Sequence, residues 1–251
     1  MRLTLIDSKM ISLDLLIWSL VFKMNKIVIA FLFLSFFQSF SQLEKIEKPV
    51  VDSLYREDQF YLNITNNSVQ NSPSGFNQNR FSPGIGVGFL RDMPINKRRN
   101  FAIALGFGYS VSILNQNIGI AEGNSNLEYS IIANSSYDKN KLSIHYIDIP
   151  LEIRWRTSDP TNTQFWRIYT GFKFSYSIYN QYKLETSSQV LSLTNIPEIN
   201  KIQFGCYLTA GWNTFNIYVL YGLNPIFKSA AIGDTVIKAN TLNFGLQFYI
   251  L

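Results

Sequence analysis

The sequence predicts an all-β chain, an eight-stranded antiparallel transmembrane β-barrel behind a cleaved N-terminal signal peptide. Three observations carry this reading. Apolar residues recur with period two over eight segments, the connections between segments alternate between long and short, and one apolar run near the start has the layout of an export signal.

Composition narrows the classes first. The chain has 251 residues, 47% of them apolar and 16% charged, with 20 Phe, 14 Tyr, one Cys and one His. A single Cys makes no intramolecular disulfide, and one His with one Cys leaves too few soft ligands for a zinc centre. We expect no cofactor, no metal and no catalytic residues. After residue 41 no stretch approaches the roughly 20 apolar residues of a membrane helix. The formal charge of +5 suggests nucleic acid, but outside residues 1–41 it falls to 18 basic against 15 acidic residues, so no nucleic-acid partner is expected.

Residues 24–41, MNKIVIAFLFLSFFQSFS, combine a start-like Met24, Lys26, an eleven-residue, largely apolar run from Ile27 to Phe37, and small Ser39 and Ser41. This is the pattern of a secretory signal cleaved after Ser41. Residues 1–41 are therefore read as signal peptide and upstream leader, and 42–55, charged and carrying Pro49, as a periplasmic tail. The barrel then occupies 56–251.

The clearest strand runs from Phe101 to Ile113. Its odd positions are Phe101, Ile103, Leu105, Phe107, Tyr109, Val111 and Ile113, and its even positions are Ala, Gly or Ser. The same alternation marks strands near 57–68, 82–92, 141–156, 164–179, 201–212, 215–225 and 239–251. Connections near 69–81, 114–140, 180–200 and 226–238 are long and rich in Asn, Ser, Gly and Gln, whereas those near 93–99, 157–163 and 213–214 are short. Long on one rim and short on the other is the plan of outer-membrane barrels, with short turns and both termini on the periplasmic side.

Volume decides which way the apolar face points. About five large apolar side chains per strand make about forty, far more than the interior of eight strands can hold. The opposite parity offers Gly84, Gly86, Gly88, Ala102, Ala104, Gly106 and Gly108 with polar groups, which suits a narrow lumen. The apolar parity must face lipid, because in water it would form a patch well beyond the roughly 300–600 Å² usual on monomers. Trp155, Trp166 and Trp212 lie on the outward parity beside short turns, as a periplasmic aromatic belt would.

On the inward parity of the fourth and fifth strands sit Asp148, Glu152, Arg154, Arg156, Arg167 and Lys173, a lumen polar network. It reads either as a charged constriction or docking surface, or as internal salt bridges that plug the lumen; charges in so narrow a space must pair to offset desolvation. An open pore does not fit, since water-filled channels belong to barrels of roughly 16 strands. Lys97, Arg98 and Arg99 form a basic turn that could hold anionic headgroups or a periplasmic partner. Ser143 and His145 share the outward parity and raise the remote alternative of a lipid A acyl hydrolase, although the nearest carboxylate, Asp148, has the opposite parity.

Arg56-Glu57-Asp58-Gln59-Phe60-Tyr61 at the first strand, HYIDIPLEIRW from His145 to Trp155 and a final strand LNFGLQFYIL ending at Leu251 together resemble the PorT-like outer-membrane β-barrel family of Bacteroidetes. The resemblance covers about residues 56–251, and the chain departs from it in ending on Leu251 instead of an aromatic residue. It implies residence in the cell outer membrane and, for some members, a part in type IX protein secretion and gliding. The partners so implied are outer-membrane lipid and other secretion-system proteins. The alternative is a structural OmpA-like small barrel that seals or tethers the outer membrane.

Overall fold

The computed structural model describes residues 57–123, 126–158 and 165–250. The expected signal peptide and leader (1–41), the tail (42–55) and Leu251 lie outside the described residues. Thirteen strands follow in chain order. These are β1 (Gln59–Gln70), β2 (Pro83–Pro94), β3 (Phe101–Asn115), β4 (Ile118–Glu122), β5 (Leu127–Ile131), β6 (Lys139–Arg156) and β7 (Trp166–Glu185), then β8 (Val190–Thr194), β9 (Ile202–Trp212), β10 (Phe215–Gly222), β11 (Ala231–Ile232), β12 (Thr235–Val236) and β13 (Asn240–Ile250).

Eight of them close a ring. The hydrogen-bonded order is β6-β3-β2-β1-β13-β10-β9-β7, and β6 also pairs with β7, every pairing being antiparallel. A closed ring has no free edge, so each ladder satisfies its own backbone groups, as a hydrocarbon environment demands. The turns joining β2 to β3, β6 to β7 and β9 to β10 lie on one rim, and the four long connections lie on the other.

Side-chain direction follows the sequence parity. Phe60, Phe107, Phe172 and Phe215 are each more than 60% exposed, and Ile85, Leu105, Leu151, Ile153, Ile168, Leu208, Ile217, Phe244 and Leu246 stand on the same outer wall. Their neighbours Tyr61, Leu90, Ala104, Arg154, Tyr169, Thr209, Tyr218 and Tyr249 are buried inside. Small residues make room for them. Gly88 and Gly108 face each other across β2 and β3, and a Cβ on Gly88 would lie 2.6 Å from the Tyr61 ring, while one on Gly108 would meet the Tyr61 hydroxyl.

Three features depart from the sequence reading. The strand expected to end near 179 runs to Glu185, because a bulge opposite His145/Tyr146 inserts an extra residue on β7 and reverses its parity. Ser177 is buried before the bulge, and Asn180 and Tyr182 after it. The long connections carry structure of their own, including the hairpin of β4 and β5, the strand β8 added to the end of β7, and the small hairpin of β11 and β12. Finally, the polar inward side chains, which run from the short-turn rim up past Asp148, Lys173 and Asn67, share the lumen with an apolar cluster at the other rim. There Ile118, Ile120, Ile196, Ile199, Ile226 and Phe227 from the connections pack on inward Val69, Leu114, Leu142, Ile144 and Tyr182. Folding the loops over the mouth removes those side chains from water, which is what an asparagine-rich loop composition conceals.

Candidate functional site

The inward ends of β1, β2, β6, β7 and β13 converge on a buried charged floor at the short-turn rim. Asp92 is its centre. Its Oδ1 accepts from Arg154 Nη1 at 3.0 Å and from Arg156 Nη1 at 2.9 Å, and its Oδ2 accepts from Arg156 Nη2 at 2.9 Å. Glu152 takes the rest of Arg154, accepting from Nε at 2.7 Å on Oε2, while its Oε1 accepts from the hydroxyls of Tyr207 at 2.9 Å and Tyr249 at 3.1 Å. Arg156 Nε donates to the Arg99 carbonyl at 3.1 Å and lies 3.7 Å from Glu57. Burial raises the Glu57 carboxyl above its ordinary pKa, and Arg156 opposes that shift.

Arg167 completes the set. Its guanidinium lies 4.5 Å from the Phe165 ring centre and 5.3 Å from that of Tyr249, a cation held by aromatic faces. Three acids, Glu57, Asp92 and Glu152, and three guanidinia share this floor, all nearly or fully buried, with Arg154 and Arg156 paired to the acids and Arg167 held by aromatic rings. Such a matched group avoids the large penalty of an uncompensated buried ion. Asp148 and Lys173 stand apart higher in the lumen, where Asp148 accepts from Ser175 Oγ at 2.5 Å and lies 3.5 Å from Lys173 Nζ. Between floor and roof lies a cavity of about 50 Å³ bordered by Asn63, Thr65, Asn67, Lys173 and Tyr218, polar enough to hold water.

The structure therefore brings Glu152, Arg154, Arg156 and Arg167 together and leaves Asp148 with Lys173 as a separate pair. Sequence reasoning missed Glu57 and Asp92, which supply two of the three floor acids. Their signal was available, since both fall on the inward parity of their strands beside a short-turn rim. Among the described residues, ion pairs fill the lumen at the short-turn rim and aliphatic side chains fill it at the other.

On the outer wall Trp166 and Trp212 pair directly, their rings in edge contact at 5.2 Å, and Trp155 sits opposite Phe101. The pairs Phe215–Phe248 at 5.3 Å and Phe60–Phe89 at 5.2 Å extend this belt around the same rim. Lys97 and Arg98 are exposed in the β2–β3 turn, and Arg99 holds a positive φ of 58° there while its carbonyl receives Arg156. Ser143, expected on the lipid-facing wall, is buried, standing opposite Ile113 on one neighbouring strand and Gln181 on the other. His145 does face outward, but its Nδ1 meets the Tyr109 hydroxyl at 2.5 Å and its ring meets that of Tyr179 edge-on at 5.3 Å, with no carboxylate in that contact set. Among the described residues no group of three or more His, Cys, Asp or Glu is placed to hold a metal ion.

A closed antiparallel ring of eight strands, apolar outside and sealed within, defines a small membrane-spanning β-barrel. The chain belongs to the outer membrane protein beta-barrel domain family, whose model matches residues 38–228. It is accordingly a protein of the outer membrane, and barrels of this class carry their short turns on the periplasmic side and their long loops outside. Among solved structures it is similar to Ail, the attachment invasion locus protein of Yersinia pestis, at 11% identity and a TM-score of 0.39, over 78% of this chain and 100% of that one. A second structure of that protein, in complex with the heparin analogue sucrose octasulfate, matches at 12% identity and a TM-score of 0.38 over the same shares. No curated protein sequence matches significantly.

Proposed function

We propose that this protein is a non-enzymatic accessory component of the type IX secretion and gliding machinery, of the PorT-like kind, acting by presenting its loops and turns to partner proteins. The sealed lumen is the observation that carries the reading. A barrel closed by an ion network at one end and an apolar roof at the other offers no route for solute, which leaves its rims and outer wall as the working surfaces. The motifs around Arg56–Tyr61 and His145–Trp155 and the terminal strand support the assignment to that machinery.

Deletion of the gene tests it. Secretion of type IX cargo should stop and return on complementation; cargo secreted as before would overturn the proposal. That second outcome would favour a structural OmpA-like barrel, a reading the plugged lumen supports equally. The acyl hydrolase alternative has lost its support, because Ser143 is buried and the His145 Nδ1 is engaged by a tyrosine. Lipid A mass spectra should be unchanged by Ser143→Ala.

A further inference from the structure

The bulge on β7 re-aims the end of that strand. Before it the outward residues are even-numbered, Phe172, Phe174, Tyr176 and Ile178; after it they are odd, so Tyr179, Gln181, Lys183 and Glu185 join the outer wall. There they meet the odd residues of β6, with Tyr179 opposite His145, Lys183 opposite Lys141 and Glu185 opposite Lys139. Two lysines thus face each other directly across a ladder, an arrangement that costs stability unless an anion lies between them. Glu185 does not fill that role. Its carboxylate is shared by Lys183 Nζ at 2.5 Å and Lys139 Nζ at 2.9 Å, and Lys141 has no ion pair among the described residues. On their other flanks Lys141 and Lys183 stand opposite uncharged Asn115 and Ser192. The next acid along the chain, Asp138, precedes β6 and has the opposite parity.

Height along the wall identifies what these lysines meet. Trp155 and His145 stand ten residues apart on the outward parity of β6, with aliphatic Ile147, Ile149, Leu151 and Ile153 between them. At about 3.3 Å per residue and a tilt of about 40°, that separation is roughly 25 Å along the membrane normal, the full apolar band of an outer-membrane barrel. Trp155 belongs to the belt at the short-turn rim, so Tyr109, His145 and Tyr179, joined by a hydrogen bond and an edge-on ring contact, mark the opposite interface. Lys141 lies four residues beyond His145. That step is roughly 10 Å farther out, the depth of lipid headgroups, and barrels of this class turn their long-loop rim to the outer leaflet.

We infer that Lys141 and Lys183 bind a phosphate monoester on the headgroup of an outer-leaflet lipid, with phosphate oxygens accepting from both ammonium groups. A phosphate monoester carries about −1.5 to −2 charges and three acceptor oxygens, enough to neutralise the facing pair at once, where a single carboxylate would leave one charge over. Lysine ammonium groups take phosphate as point charges and need no planar fork to do so. The lipid source follows from the wall itself, because the same row of β6 residues runs without a break from hydrocarbon depth to the lysines. The inference does not depend on the secretion role proposed above.

The test places the full chain in phosphatidylcholine bilayers alone, with lipid A, or with lipid A stripped of its phosphates, and follows thermal unfolding by the heat-dependent gel shift. The wild type should unfold at a higher temperature with lipid A than with the stripped form, because a ligand held only by the folded chain stabilises it. Retention of lipid A, read by native mass spectrometry, gives the affinity. Lys141→Gln, which leaves Glu185 with both its lysines, should weaken retention roughly fivefold, the effect of one basic residue at an anionic membrane surface. Lys141→Arg should preserve it. Lys238→Gln removes a charge from an exposed position before β13 on the same rim and should change nothing. In phosphatidylcholine alone Lys141→Gln should be at least as stable as the wild type, since it relieves the repulsion between facing charges. Equal stabilisation by both forms of lipid A, equal losses from Lys141→Gln and Lys238→Gln, a less stable Lys141→Gln in phosphatidylcholine, or the same stabilisation from dissolved inorganic phosphate would overturn the inference.

Discussion

Arg156 holds Asp92 by two parallel hydrogen bonds, Nη1 to Oδ1 and Nη2 to Oδ2, each 2.9 Å long and closed across 64 positions of sequence. The pair ties β6 to β2 although β3 stands between them in the wall. It therefore braces the barrel across its interior, which no strand ladder does.

Removing the charge of Asp92 should be severe. Asp92→Asn leaves Arg154 and Arg156 buried with one fewer counter-ion, and breaking a buried pair in this way costs about 3–5 kcal/mol. Urea unfolding in lipid vesicles, followed by the heat-dependent gel shift of folded barrels, should show the loss. A double variant adding Arg156→Gln should recover part of it, because the second change removes the orphaned cation. Full additivity of the two would mean that the residues do not act as a unit.

The glycines of β2 make a graded prediction. A Cβ on Gly88 would meet the Tyr61 ring and the Phe107 carbonyl, both at 2.6 Å, and backbone cannot retreat cheaply. On Gly86 the nearest atoms all belong to the Asn63 side chain, which can turn aside. Gly88→Ala should cost about 1–3 kcal/mol by the same unfolding assay and Gly86→Ala clearly less. Equal costs would show that lumen crowding does not set the choice of glycine.

These positions also show what a sequence can disclose about such a barrel. The outward face was legible because lipid demands an apolar side chain at every second residue, and Phe101 to Ile113 obeys without exception. The charges of Arg154, Arg156 and Arg167 were legible by the same alternation. Their partners were not all recognised, because pairing Asp92 with Arg156 depends on which strands face each other across the lumen, a relation that parity alone does not encode. The roof was hidden for a related reason. Ile118, Ile196, Ile226 and Phe227 come from three connections with no shared period, and only their convergence makes them a core. The bulge near Ile178 ended the visible pattern six residues before the strand itself ended at Glu185.

The aromatic belt gives a depth prediction. Trp155, Trp166 and Trp212 lie on the outer wall at the short-turn rim, where indole rings settle at headgroup level. In a chain with Trp18 replaced by Phe, fluorescence should be quenched more by lipids brominated near the glycerol than by lipids brominated at the chain ends. Stronger quenching by the deep label would place the belt in the hydrocarbon centre and shift the assigned membrane boundary.

Conductance tests the sealed lumen directly. An ion crossing the barrel must pass the floor around Asp92 and Arg154 and then the apolar roof, two barriers in series with a polar cavity of about 50 Å³ between them. Either barrier alone suffices, since stripping an ion of water against aliphatic side chains and displacing a matched buried ion network are each costly. The wild-type protein should give no single-channel steps in planar bilayers. Arg154→Ala, which opens the floor, should remain silent because the roof is intact, and replacing residues 223–239 by a short Gly-Ser link, which removes Ile226 and Phe227, should remain silent because the floor is intact. The two lesions together should produce steps. Current through the wild type, or through either single lesion, would show that the lumen is not closed as the side-chain packing requires.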